Sequence, residues 1–589
     1  MGRFDEPSTW SLADLYAEPA EQGIDQDLAE AEKLVIRLEG MREHLTPDIS
    51  AADFKAALTT IENLTTLRSR MVGYADLLLT EDTQNQRALG LRDRIVQSLT
   101  DLGNRCLFFD LWFKDLPEEA AARLMSDAGD ACYYLATIRR FKPFTLTEAE
   151  EKVISSKDVN GIDAMMGIYN MITSAFEFKL EVEGEAQTLT RDELTAYFDH
   201  PSPDVRARAY QELFRVYQEN AIVLAQMYIH RARDWHTEGT ELRGFASPIA
   251  SRNLENDLPD EVVETLLSVC RQNTTLFQRY FRLKAQWLGL PRLRRYDIYA
   301  PLAPSDKTFD YSTAVQMVMD SYGAFSPEVA ALVQRVFDED HMDALARPGK
   351  SGGAFCYTVS PGLTPWVMVN YARHAHDVAT LAHELGHAIH NMLAEKHSVL
   401  TQQASLPLAE TASIFGEMLL KDRLLQMEKD PAVRRELLAH SLDDAYLSAV
   451  RQAYITLFEE DAHAMIAEGC TPDELSEHYL QNLHEQFGEA VEVSDEFRWE
   501  WIAISHMYEV PFYTYAYSFG ILLVLALYQQ YRLEGEAFLP RYLRILSAGG
   551  SESPLKILTE AGLDVTSPAF WQGGFDVLEK MVSELELSS

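Results

Sequence analysis

The sequence predicts a mainly α-helical protein with a small β component. Three observations carry this. Amphipathic patterns of helical period fill most of the 589 residues. Strand-type alternation is confined to a few short segments. Hydrophobic residues make up 47% of the chain, enough for one large core or several fused lobes. The helical periods run over roughly 26–45, 50–77, 84–105, 117–138 and 147–156, then over 202–235, 259–287 and 312–337.

The strand signals come next in the chain. Phe176, Phe178, Leu180 and Val182 alternate with charged residues and lead into Glu183-Gly184, which reads as a hairpin. Thr190-Arg-Asp-Glu193 is a capping box that opens a helix. Trp366 to Tyr371 is apolar, follows Pro365, and reads as a strand whose edge an extended peptide could pair with. Stretches rich in Pro and Gly at 289–304 and 346–365 read as loops. Repeats, low-complexity tracts and flexible linkers are not evident.

Charge and cysteine usage exclude several classes. Lys and Arg number 52 against 91 Asp and Glu, a net charge of −39. Such a chain is not expected to bind nucleic-acid phosphates, and its field disfavours acidic peptides as ligands. Five scattered cysteines without C-x-x-C spacing suit a reducing compartment, so a cytoplasmic location is expected. Met-Gly-Arg-Phe-Asp-Glu-Pro-Ser lacks the apolar core of a signal peptide, and its Met-Gly start lacks the basic residues of a lipid-anchored terminus. The longest apolar run, Phe519 to Tyr528, falls short of the roughly 20 residues a bilayer-spanning helix needs.

The chemistry concentrates at 383–387, His-Glu-Leu-Gly-His. On a helix, His383 and His387 lie one turn apart on one face. Two imidazoles so placed can grip one zinc ion, with Glu384 in reach of the water on the metal. The phasing agrees. Val378, Leu381, Ala382, Leu385, Ile389, Met392 and Leu393 share one arc, while His383, His387 and His390 share the opposite one. Asp377 stands where an N-cap is expected. Hydrolytic zinc usually has three protein ligands. Downstream acids are Glu395, Glu410, Glu417 and Asp422. Glu395 continues the same helix and cannot fold back. Glu410 lies in a second helical pattern, 406–427, opened by Ser405 and Pro407, and can approach the first side-on. Glu417, two turns on, can hydrogen-bond a ligand histidine. A third histidine ligand would need Gly and His where His390 and Leu393 stand.

Asp377-Val-Ala-Thr-Leu-Ala-His-Glu-Leu-Gly-His-Ala-Ile-His390, followed by Glu410-Thr-Ala-Ser-Ile-Phe-Gly-Glu417, resembles the oligoendopeptidase F family, relatives of thimet oligopeptidase and neurolysin. Ser351-Gly-Gly-Ala-Phe355 and Trp366-Val-Met-Val-Asn-Tyr371 are similar too, and the likeness runs from about Trp10 to the C-terminus. The resemblance implies His383, His387 and Glu410 as ligands of one zinc per chain, and Glu384 as general base. Thermolysin-like enzymes and aminopeptidases place the ligand glutamate nearer, where this chain has Leu406 or Pro407. A third string, His506-Met-Tyr-Glu-Val-Pro-Phe-Tyr-Thr-Tyr-Ala-Tyr-Ser-Phe-Gly520, resembles the segment that turns a histidine and tyrosines toward the zinc. It implies His506 with Tyr515 or Tyr513.

For the fold, the resemblance implies a two-lobed, clam-like zincin around a deep channel, with a small β-sheet beside the zinc helix. The expected division is an N-terminal helical region at 1–112, a region like the family's N-terminal part at 113–195, and the catalytic region at 196–589. The expected function is zinc-dependent endopeptidase action on short unstructured oligopeptides, by a chain that needs neither membrane nor nucleic acid and can work as a monomer. A dipeptidyl carboxypeptidase with the same zinc site is the enzymatic rival. A non-catalytic metal- or peptide-binding protein would have no use for Glu384.

Overall fold

The computed structural model describes residues 6–182, 184–302 and 308–587. Residues 1–5, on which the reading of the N-terminus partly rests, lie outside these, as do Glu183 of the expected hairpin turn and the end of the 289–304 loop. The described chain is helical almost throughout, with three small sheets. No helix among the described residues is long and apolar enough to cross a membrane.

Four of the long helical periods are each two helices, the 117–138 pattern dividing into Glu118–Ser126 and Cys132–Arg140. The 202–235 pattern divides into Pro203–Glu219 and Ala221–Trp235, and the 259–287 pattern into Asp260–Gln272 and Thr274–Trp287. Each breaks at an asparagine, Asn220 or Asn273, whose amide bonds back to the carbonyl four residues earlier and ends the helix. The 312–337 pattern breaks at Ser326. There Pro327 cannot donate, and the Ser326 hydroxyl accepts from the amide of Val329. The apolar period runs across these breaks because both helices of each pair bury residues on it.

Two compact units interleave along the sequence. One comprises Met1–Lys142, Lys307–Leu424 and Gln530–Leu563. The other comprises Pro143–Asp306, Leu425–Gln529 and Asp564–Ser589.

In the first unit, helices Ala20–Gly40, Ala51–Glu81 and Gln86–Asp115 pack on one another. Ile24, Val35, Met71, Tyr74, Ile95 and Leu99 form a core with Trp366 and Met368 of a three-stranded sheet. In that sheet Trp366–Met368 is central, parallel to Met342–Asp343 and antiparallel to Phe355–Tyr357. The strand expected to offer a free edge is therefore paired on both sides and fully buried. The edges belong to its two neighbours. The helix Ala375–Leu393 packs against this sheet.

The second unit holds the hairpin Phe178–Val182 with Glu185–Leu189, the capping box at Thr190, and a short parallel pair, Leu293–Arg294 with Val491–Glu492. Its core carries paired charges. Arg206 meets Asp297 at 2.8 Å, Arg295 meets Glu500 at 2.7 Å, and Lys284 meets Asp443 at 2.6 Å. Buried ions persist only with such partners.

Candidate active site

The helix Ala375–Leu393 carries the His-Glu-Leu-Gly-His motif, and its start differs from the sequence reading. His374 is the N-cap, while Asp377 is the third helical residue. The Asp377 carboxylate accepts from the amides of His374 and Ala372, each at 2.8 Å. Arg373, at φ 73°, turns the chain so that the helix begins before Asp377. A carboxylate on first-turn amides stabilises a helix much as a cap does. The predicted apolar arc is buried, apart from Leu393, which is half-buried. The polar arc is also largely covered: Glu384 and His390 are buried, and His383 and His387 are half-buried.

The cover comes from 405–427. Ser405 and Pro407 open a single turn, Leu406–Ala409, as the sequence suggests. The helix then stops, Glu410 takes a capping conformation, and a second helix runs from Ser413 to Met427. This break aims Glu410 at the motif helix, and two glycines make the approach possible. A Cβ on Gly386 would stand 2.5 Å from both the Ala412 oxygen and the Ser413 Cα. One on Gly416 would collide with the Tyr322 ring, whose hydroxyl donates to the Ala382 carbonyl at 2.7 Å. From the last stretch of the same unit, Tyr542 donates to the Thr411 carbonyl at 3.1 Å and stacks on Phe415.

Three donor atoms converge. His383 Nε2 lies 3.3 Å from Glu410 Oε2, His387 Nε2 lies 3.5 Å from the same oxygen, and the two nitrogens are 3.2 Å apart. An ion bound tetrahedrally at about 2.0–2.1 Å sets its donors about 3.3–3.4 Å apart. The three atoms thus stand as three corners of a tetrahedron, and the cluster fits a metal ion. Supporting groups orient it. His383 Nδ1 is 2.5 Å from Glu417 Oε1, so that nitrogen holds the shared proton, and Nε2 would offer its lone pair once a cation replaces the proton there. Ser413 donates to Glu410 Oε2 at 2.7 Å.

The local charges follow from this packing. Burial pushes the Glu384 carboxyl up to about 7, helped by Glu410 and Glu417 and opposed by His383. Burial would also raise Glu410, but the His383 hydrogen bond and the nearby His387 hold it down at about 2. His383 is drawn up to about 10, its carboxylate partners outweighing burial. Burial drives His390 down to about 4, so it stays neutral. A buried carboxyl with a raised pKa beside a metal-competent cluster suits a general base.

The other expected residues belong to the second unit. His506 sits in the short helix Ser505–Glu509 and is exposed. Phe512, at φ 58°, turns the chain into the helix Tyr515–Glu534. His506 stacks on Tyr513 with centroids 5.7 Å apart, and the Tyr517 hydroxyl lies 3.4 Å from His506 Nε2. Tyr515 points elsewhere. It is fully buried, and its hydroxyl accepts from the Asn256 amide at 2.8 Å.

The Peptidase family M3 model matches residues 196–577, well over half of the chain. The chain belongs to this family. Curated relatives match it along nearly its whole length. Oligopeptidase PepF of Bacillus subtilis is 24% identical over 587 residues, covering 98% of this chain and 87% of the relative. An oligoendopeptidase F homolog of Lactococcus lactis is 25% identical over 598 residues, covering 99% and 97%. These matches uphold the resemblance to the oligoendopeptidase F group. Among solved structures, one from Chlamydophila abortus superposes with a TM-score of 0.88 at 24% identity, covering 100% of this chain and 99% of that one. Oligoendopeptidase-F of Enterococcus faecium gives 0.73 at 22%, covering 96% and 99%.

Sequence reasoning missed several residues of this M3 site. Gly386 and Gly416 were visible beside His387 and Glu417, but the backbone they admit was not. Ser413 and Tyr322 carry no signal that separates them from other polar residues.

Proposed function

We propose that this M3 peptidase is a zinc-dependent endopeptidase that hydrolyses short, unstructured oligopeptides. The observation that carries the reading is the tetrahedral-edge spacing of His383, His387 and Glu410, with the buried Glu384 next to His383 in the chain. Bound there, zinc would lower the pKa of a water to about 7 and polarise the scissile carbonyl. Glu384 takes the proton from that water and returns it to the leaving amine. Glu417 fixes the tautomer of His383. The resemblance implies that His506 with Tyr513 or Tyr515 supplies donors for the charge developing on the carbonyl oxygen. The outer edge of Phe355–Tyr357 offers backbone groups to an extended peptide. Five free cysteines suit work in a reducing compartment such as the cytoplasm.

Peptides blocked at both ends test the reading. Internal cleavage, abolished by a chelator and restored by Zn²⁺, is the expected result. Cleavage restricted to unblocked peptides, two residues from the C-terminus, makes the protein a dipeptidyl carboxypeptidase instead. Chelator-resistant cleavage removes the metal from the reaction.

A further inference from the structure

The first unit contains a second group of metal-competent side chains: Asp14, Glu339 and His341, each with a ligand atom within 4.8 Å of the others. Glu339 follows the helix Pro327–Asp338, and Asp340, at φ 56°, turns the chain back. His341 then enters the strand Met342–Asp343. Its ring is fully buried and stacked on Trp366, with centroids 3.9 Å apart.

The tautomer of His341 is fixed by its surroundings. Nδ1 lies 2.8 Å from the Thr364 carbonyl oxygen, which can only accept, so Nδ1 carries the proton. In the neutral ring the lone pair is therefore on Nε2. That nitrogen is buried and has no hydrogen-bond partner. The nearest charged atom is Asp14 Oδ2 at 3.3 Å, placed so that no hydrogen bond forms with the ring nitrogen. Two acceptors facing each other repel unless something positive lies between them. A proton there would draw the pair into a hydrogen bond. A tetrahedral ion with bonds of about 2.0–2.1 Å would hold them about 3.3–3.4 Å apart. The observed separation equals the His383–Glu410 separation in the first cluster.

We propose that Asp14, Glu339 and His341 form a second divalent-cation site, suited to a first-row transition ion such as Zn²⁺. One imidazole and two carboxylates are donors such ions accept. The buried Thr364 contact orients His341 as carbonyl partners orient metal-binding histidines elsewhere. Burial lowers the pKa of His341, which keeps the ring in its neutral, ligating form. Arg335 pairs with Oε1 of Glu339 at 3.0 Å and leaves Oε2 available. Asp14 is exposed, so ions reach the site from solvent.

The site joins two stretches more than 300 residues apart in sequence. The N-terminal segment already lies on the sheet: the Ser11 amide donates to the Asp340 carbonyl at 2.7 Å, and the Trp366 indole donates to the Ser11 carbonyl at 2.8 Å. A cation held by Asp14 and His341 fastens that segment to the strand and turn it covers. Its role is structural.

The test uses the full chain carrying His383→Ala and His387→Ala, stripped with a chelator and titrated with Zn²⁺, then with Co²⁺ as a spectroscopic probe. One equivalent is expected to bind, with d–d absorption for Co²⁺ and a higher thermal midpoint for Zn²⁺. Adding Asp14→Asn or Glu339→Gln, both at exposed positions, is expected to abolish the binding and the thermal gain. If the double variant does not fold, metal content decides in the otherwise unaltered chain: two equivalents, falling to one with Asp14→Asn while peptide cleavage stays at the parent rate. Binding unaffected by either change overturns the proposal. So does a thermal midpoint that answers to pH but not to Zn²⁺, the mark of a protonated His341 paired with Asp14.

Discussion

The surroundings of His383 and of His506 are built in opposite ways. Around His383, regular elements do the placing. A four-residue helical step sets the two imidazoles, and a helix broken at Glu410 delivers the carboxylate. Each polar group there is oriented by another, so the geometry follows from few choices. Around His506 the backbone is irregular. A five-residue helix, the left-handed Phe512 and the first turn of Tyr515–Glu534 position three rings that orient one another by one stacked and two edge-on contacts. Where spacing fixes geometry, a motif reads directly as chemistry. Where loop conformation fixes it, neighbouring residues of one type exchange roles.

The largest expected effect tests the regular region. Glu384→Gln should retain the metal and lose about 10²–10⁴-fold in kcat. Near-normal turnover would mean that the motif helix supplies only ligands. In the irregular region, at least one of Tyr513→Phe and Tyr517→Phe should lower kcat and kcat/KM together, by about 10²–10³-fold, with metal content unchanged. If both keep parental kcat, the stacked rings are packing and the contrast loses its functional half.

A smaller effect concerns the support of the ligands. Glu417→Ala should weaken metal affinity by about 10- to 100-fold in a chelator competition, as loss of a ligand's hydrogen-bond partner does. An unchanged affinity would show that the helix alone orients His383. The smallest effect is Tyr515→Phe. It removes the bond from Asn256 and should cost about 0.5–1.5 kcal/mol of stability by denaturant unfolding, leaving kcat intact. A fall in kcat would return Tyr515 to the chemistry.

Much of the fold and of the metal-competent cluster was legible in the sequence. The helical periods located most of the long helices before residue 340, because an amphipathic face records which side is buried, while Pro431–Ala445, Gln452–Glu468, Pro472–Phe487, Tyr515–Glu534 and Pro568–Leu587 lay outside them. They could not show that Asn220, Asn273 and Ser326 interrupt those periods, since paired helices share one apolar face. His383, His387, Glu384, Glu410 and Glu417 were legible because helical spacing and a chain reversal constrain them. The edge assigned to Trp366–Met368 failed for a physical reason: an apolar run marks a buried strand, and burial here comes from pairing on both sides. The separation of Tyr513 and Tyr517 from Tyr515 depends on the turn at Phe512, which no periodicity records.

The contact between Tyr542 and Thr411 has a consequence for how the protein is made. The ribosome delivers Glu410 well before Gln530–Leu563, the stretch that completes the same unit and braces the turn beside Glu410. At roughly 5–20 residues per second, that delay is on the order of ten seconds. During it the motif helix and the glutamate exist without their last support. The turn beside Glu410 therefore gains its Tyr542 brace more than a hundred residues of synthesis after the glutamate itself.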